Sequence, residues 1–183
     1  MSVSTPTRIP AGTWALDPVH SVASFRVKHF GITWLRGGFN AFDLQLAASE
    51  DGSIELTGGA ATEAISFPNE QLHGHLMSPD FFDAQLHPRI EFRSTDVDLA
   101  DDGTATIQGE LTIRGTTQPV RLTGRWSGPV EGLGGEQRIG LELEGEIDRD
   151  AYGVSWQATL PTGQEVVSKA VKLEGEFELA LQS

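Results

Sequence analysis

Five histidines carry whatever proton or metal chemistry this 183-residue chain can offer. His73 and His75 stand two apart, and His87 follows further along. A His-x-His pair on a strand can chelate zinc or copper. Here spacing fixes no third ligand, and the pair falls in a loop or short helix, so no metal site is expected. His29 shares a strand face with Phe25 and Val27 beside Gly31, a placement that suits a hydrogen bond to a ligand head group at a pocket mouth. The chain has no Cys, which excludes thiol catalysis, disulfides and zinc–thiolate sites. No G-x-S-x-G elbow is present. Ser21 and His20 are adjacent, and adjacent strand side chains point to opposite faces. No Gly-rich loop opens a helix, so neither a P-loop nor a dinucleotide fingerprint is found. Asp101-Asp102 and Asp148/Asp150 are turn residues first. The expectation is no catalytic residue, no metal and no cofactor.

The elements around these residues are strands. In residues 107–126 apolar Ile107, Leu111, Ile113, Val120, Leu122 and Trp126 alternate with polar neighbours at period two, the mark of half-buried strands. They flank a short Gly-Thr-Thr-Gln-Pro connection. The alternation recurs at 139–147 and 171–181, where Val171, Leu173, Phe177, Leu179 and Leu181 face one way and Lys172, Glu174, Glu176 and Glu178 the other. Further strands are expected near 14–16, 21–29, 39–48, 54–61 and 90–97, with hairpin turns at Asp51-Gly52 and Asp101–Gly103. Gly31 and Gly37-Gly38 read as punctuation of a bend. Residues 62–88 lack the two-residue period. Ser78-Pro79 reads as the cap and opening of a short helix over 79–86, with Leu76, Phe81, Phe82 and Leu86 as its buried stripe.

About eight strands with one dry face suit a closed antiparallel barrel, which leaves no exposed edge. Such a barrel either fills itself or holds one small ligand. Ala23, Gly109, Gly124 and Gly145 fall in register with large apolar neighbours, a pattern that predicts a hollow channel. The alternative is an ordinary filled core. Residues 1–12 read as a loose tail and 13–183 as one domain. The net charge of −13 disfavours a nucleic-acid partner held through its phosphates. The N-terminus has no apolar core of signal-peptide length, and no stretch reaches the ~18 apolar residues of a membrane span. A cytoplasmic protein is expected.

Four motifs bear a resemblance to one known family: Trp14–Ile32 (WALDPVHSVASFRVKHFGI), His75–Thr95 (HLMSPDFFDAQLHPRIEFRST), Gly109–Leu122 (GELTIRGTTQPVRL) and Asp148–Trp156 (DRDAYGVSW). Together they resemble the YceI-like family of lipocalin-like, polyisoprenoid-binding barrels. The resemblance implies an eight-stranded antiparallel barrel, a helical segment near one end and an apolar tunnel for an isoprenoid chain. It also carries homodimerisation as a family-level expectation. One departure is visible: the family's usual Arg-Asp before the His-Leu of the second motif is Leu72-His73 here.

On this reading the chain is a non-catalytic binder of a long-chain isoprenoid lipid, a polyprenyl chain or an isoprenoid quinone. The expected lining is Phe25, Val27, Leu76, Phe81, Phe82, Phe92, Leu111, Ile113, Trp126, Val171 and Leu173, with His29 and His75 at the mouth. Two other readings stay open: an enzyme acting on a lipid or quinone with His29 or His75 as acid or base, and a ligand-free structural or stress-related barrel.

Overall fold

The computed structural model describes residues 9–183. Residues 1–8 of the expected tail lie outside the described residues. The chain is tied down directly after them: Ile9 packs against the core, and the Pro10 carbonyl accepts the Trp14 indole N–H at 3.1 Å.

The strands are β1 (Gly12–Leu16), β2 (Val22–His29), β3 (Thr33–Phe39), β4 (Asp43–Ala48), β5 (Ile54–Ala61), β6 (Ile65–Ser66), β7 (Arg89–Leu99), β8 (Thr104–Ile113), β9 (Thr116–Glu131), β10 (Gln137–Asp148) and β11 (Val167–Leu181). Helix α1 (Glu70–Met77) lies between β6 and β7. Three pairs of short strands are halves of single staves. Both β1 and β2 pair with β11. β4 pairs with β1 and β3 with β2; β5 then pairs with β4 and β6 with β3. Counted this way, the segments form a closed antiparallel barrel of eight staves. No helix among the described residues is long and apolar enough to cross a membrane.

Ladder irregularities are mended by serine hydroxyls. At the break between β1 and β2 the Ser21 hydroxyl accepts the Glu178 N–H at 2.9 Å. At the β7 bulge Ser94 accepts the Leu56 N–H at 2.8 Å. At the β11 bulge Ser168 accepts the Lys28 N–H at 3.0 Å. Each hydroxyl stands in for a carbonyl that the irregularity removes from the ladder.

The barrel has two halves. One is solid: Trp14, Leu46, Leu56, Ile107, Trp126, Leu141 and Leu179 pack together and are almost wholly buried. The other is ringed by Val27, Ile65, Leu76, Phe81, Ile113, Val120, Ile147, Tyr152, Val154 and Val171. At that end the wall splits. The β5–β7 ladder runs to Thr62, whose N–H and hydroxyl bond Pro88 and His87 carbonyls. β6 then pairs, among the described residues, on its β3 side alone, and α1 with residues 78–88 covers the gap.

Three local expectations are corrected. The helix occupies Glu70–Met77, not 79–86. Asn69 caps it by accepting the Leu72 N–H at 2.9 Å. Pro79 could open a helix, but Asp83 adopts φ 48°, and residues 78–87 fold back as turns, Phe82 and Ala84 donating to the Leu76 and Met77 carbonyls. Leu86 is consequently exposed. Second, Gly37-Gly38 lies inside β3 rather than in a bend. A Cβ at Gly37 would sit 2.5 Å from the Phe25 ring and 2.7 Å from the Phe67 ring, so the glycine gives that space to two aromatics. Third, the β8–β9 connection is the pair Arg114-Gly115 alone. Both have positive φ, 49° and 71°, the geometry of a two-residue type I′ hairpin.

Candidate functional site

The second half of the barrel holds a partly open apolar chamber of about 290 Å³. β2 contributes Ala23, Phe25 and Val27, and β11 contributes Val167, Val171, Leu173, Gly175 and Phe177. β8 and β9 add Leu111, Ile113, Val120 and Leu122; β5 and β7 add Gly58, Ala60, Ile90 and Phe92. The cover supplies Leu72, Leu76, Phe81 and Phe82, and Phe67 comes from the link between β6 and α1. Leu56 and Leu143 belong both to the chamber and to the solid half, so the space ends on a packed floor.

Ten of the thirteen residues expected at a ligand line this chamber: Phe25, Val27, Leu76, Phe81, Phe82, Phe92, Leu111, Ile113, Val171 and Leu173. The other three do not. Trp126 is in the solid half, its indole N–H bonded to the Ala100 carbonyl at 2.8 Å; strand parity could not say which half of the barrel it occupies. His29 stacks edge-on against Phe30, with ring centroids 4.2 Å apart. His75 pairs with Asp80 at 3.1 Å and packs edge-on against Phe81 and Trp156. Both histidines stand outside the lining. His73 and His75 lie on α1, where residues two apart diverge around the axis.

The small residues work differently from the expectation. Ala23 lines the chamber; Gly109, Gly124 and Gly145 do not. A Cβ at Gly109 would lie 2.6 Å from the Phe92 ring, and one at Gly145 2.7 Å from the Leu122 side chain. At Gly124 it would collide with the Glu142 carbonyl. Missing bulk at these positions is taken up by a neighbour rather than left hollow.

Asp43, Glu91 and Glu174 touch the chamber's edge with their charges already committed. Arg89 pairs with Asp43 and Glu91, and Glu174 holds Arg26 and Arg36. Two polar residues are buried in the wall: Arg149, 5% exposed, and Tyr152, 2% exposed. Both come from one 3₁₀ turn, Arg149–Tyr152, closed by Gly153 in the left-handed region. The Arg149 guanidinium donates to the carbonyls of Ser168, Val154, Trp156 and Val167 at 2.6–3.2 Å. No carboxylate pairs with it among the described residues, and desolvation pulls its pKa down. The Tyr152 hydroxyl has no hydrogen-bond partner among the described residues, and burial pushes its pKa up. In the sequence this stretch reads as a strand end and a turn. One signal was available: Arg149 continues the inward parity of Leu143, Gly145 and Ile147.

A second polar cluster lies beside the solid half. Ligand atoms of Asp17, His20 and Glu178 gather within 4.8 Å. Arg138 sits among them, 2.8 Å from Asp17 and paired to Glu178 and Glu136, so the acidic charge is met by a guanidinium.

A closed barrel with an apolar chamber set on a packed floor is an architecture that can hold a small hydrophobic ligand. The YceI-like domain model matches residues 14–179, and the chain belongs to the YceI-like family. It is 30% identical over 174 residues to a UPF0312 protein of Staphylococcus epidermidis, covering 91% of this chain and 96% of that one. A UPF0312 protein of Staphylococcus aureus is 27% identical, covering 92% and 97%. Among solved structures, Burkholderia cenocepacia BcnA superposes with TM-score 0.74 at 18% identity over 89% of this chain and 98% of that one. A polyisoprenoid binding domain from Saccharophagus degradans, implicated in plant cell wall breakdown, gives 0.64 at 14% identity over 92% and 98%. These structural likenesses concern the fold.

Proposed function

We propose that the chamber binds the apolar chain of an isoprenoid lipid, a polyprenyl chain or an isoprenoid quinone, and stores or carries it without chemistry on it. The observation that carries this reading is the apolar space inside the barrel, open on one side and set on a packed floor. The Saccharophagus domain, described as polyisoprenoid-binding, supports it. Burial supplies the affinity, at about 0.8 kcal/mol per CH₂ withdrawn from water. The chamber lies at the foot of the roughly 300–1,000 Å³ range of ligand sites. A long chain therefore seats one part inside and extends the rest through the mouth.

The edge favours a neutral head group. A buried pyrophosphate needs several cations or N–H groups, whereas Arg26, Arg36 and Arg89 are already paired with carboxylates. The acid–base alternative gains no support from His29 or His75, neither of which reaches the lining.

Organic extraction and mass spectrometry of the purified protein test the proposal. Wild type is expected to release an isoprenoid lipid at near-stoichiometric yield. Ala60→Phe, which sends a ring into the chamber from β5, is expected to release little while keeping its β-sheet spectrum. Equal lipid in both, or no lipid after reconstitution with isoprenoids, would rule the proposal out.

A further inference from the structure

Tyr152 is the chain's one tyrosine, and it presents an anomaly. A buried phenol normally finds a partner, because an unmade hydrogen bond in an apolar setting is costly. Here the hydroxyl oxygen is buried, lacks any partner among the described residues, and belongs to a residue that lines the chamber. We infer that the Tyr152 hydroxyl donates a hydrogen bond to a single uncharged acceptor oxygen, of carbonyl type, on the chamber's ligand. The inference rests on the isoprenoid reading above and narrows it: the ligand is an oxygenated isoprenoid whose oxygen sits inside the barrel, not a plain hydrocarbon.

Three observations fix the chemistry. Burial raises the phenol's pKa, so at neutral pH the group is a protonated donor. Arg149, from the same turn and also in the lining, holds a positive charge with which no carboxylate ion-pairs among the described residues, though Asp150, Glu165 and Asp148 act on it at longer range. Its field favours the negative end of a carbonyl dipole over a second donor. Arg149 nevertheless spends four hydrogen bonds on main-chain carbonyls. A full anion would want several free donors, and one hydroxyl suits one neutral oxygen.

The test compares delipidated wild type with Tyr152→Phe. The probes are farnesylacetone, an isoprenoid ketone, and a farnesane-type hydrocarbon of matched length, each titrated against a fluorescent apolar reporter. Wild type is expected to bind both and to prefer the ketone. Tyr152→Phe should lose about fivefold for the ketone, the worth of one hydrogen bond, and nothing for the hydrocarbon. Without ligand, the variant should be at least as stable as wild type, because it sheds an unsatisfied polar atom. An unchanged ketone preference would overturn the inference, as would a less stable empty variant, which would reveal a structural partner for the hydroxyl. Failure of wild type to bind either probe would instead bring down the isoprenoid reading itself. Tighter binding of farnesoic acid than of the ketone, abolished in Tyr152→Phe, would overturn the neutral-oxygen assignment.

Discussion

At the scale of single residues, the chain solves its backbone problems with short polar side chains. Ser94 is buried, and its hydroxyl is the partner of the Leu56 N–H beneath the β7 bulge. Ser94→Ala leaves that donor unmet inside the barrel, so a loss of about 1–3 kcal/mol in urea unfolding is expected. An unchanged midpoint would mean the bulge closes without the hydroxyl. The Asp17–His20–Arg138 cluster makes stability depend on pH. Hydrogen bonds from His20, then Arg138, hold Asp17 well below the carboxylate range, and Asp17 raises His20 above 6.5. The His20 contribution is therefore complete below pH 6.5 and vanishes as pH rises through its raised pKa. Asp17 works oppositely: its contribution is present above 3.8 and is lost as pH falls through its depressed value. His20→Ala should then melt below wild type in mildly acidic buffer and coincide with it in alkaline buffer. A constant gap in Tm across that range would contradict the assignment. Little of this was legible beforehand. Parity places a side chain indoors or outdoors, which sufficed for Phe25 or Leu111. It does not say that His29 turns onto Phe30 or that Trp126 lies past the floor.

At the scale of elements, strands were legible and their interruptions were not. The two-residue period located β5, β8, β10 and β11 closely because each has one wet face. β3 was hidden by Gly37-Gly38; Gly37 yields to two rings and Gly38 to the Ala23 carbonyl across the ladder, tertiary causes with no local signature. Ser78-Pro79 resembles a cap, but Asp83 takes a positive φ and residues 78–87 turn back, while the helix sits earlier, capped by Asn69. What matters for binding is how the cover is fastened. Arg114, itself in the left-handed region, donates to the Phe81 carbonyl at 2.7 Å and to the Gly153 carbonyl at 3.0 Å. One guanidinium thus joins the turns over the wall gap to the turn that carries Arg149 and Tyr152. Arg114→Ala should cost about 1–3 kcal/mol and speed transfer of bound lipid to acceptor vesicles several-fold. A slower off-rate constant would be inconsistent with a cover held by this clasp, and an unchanged one would place the exit elsewhere in the wall.

At the scale of the whole molecule, the barrel divides its labour along its axis. The end holding Trp14 and Trp126 is packed through, and the end under α1 is left hollow, with Leu56 and Leu143 common to both. Identical chemistry should therefore have different consequences at the two ends. Leu141 is 1% exposed in the solid half. Truncating it opens a void that well-packed neighbours cannot close, so Leu141→Ala should cost about 3–5 kcal/mol. Leu111 faces space that is already empty. It has fewer contacts to lose, and Leu111→Ala should cost about 1–2 kcal/mol in the delipidated protein. The order should then change in what ligand does. If the chamber takes a lipid as proposed, bound lipid should stabilise the fold by mass action, in proportion to the logarithm of its concentration over Kd. Leu141→Ala should keep the full ligand-induced rise in Tm, because its void is behind the floor. Leu111→Ala should lose part of that rise, because Leu111 lines the chamber where the proposed chain would pack. Thermal melts of both variants, with and without a saturating isoprenoid, separate these effects. Equal destabilisation of the two empty proteins, with equal rescue by lipid, would mean the floor does not isolate one half from the other.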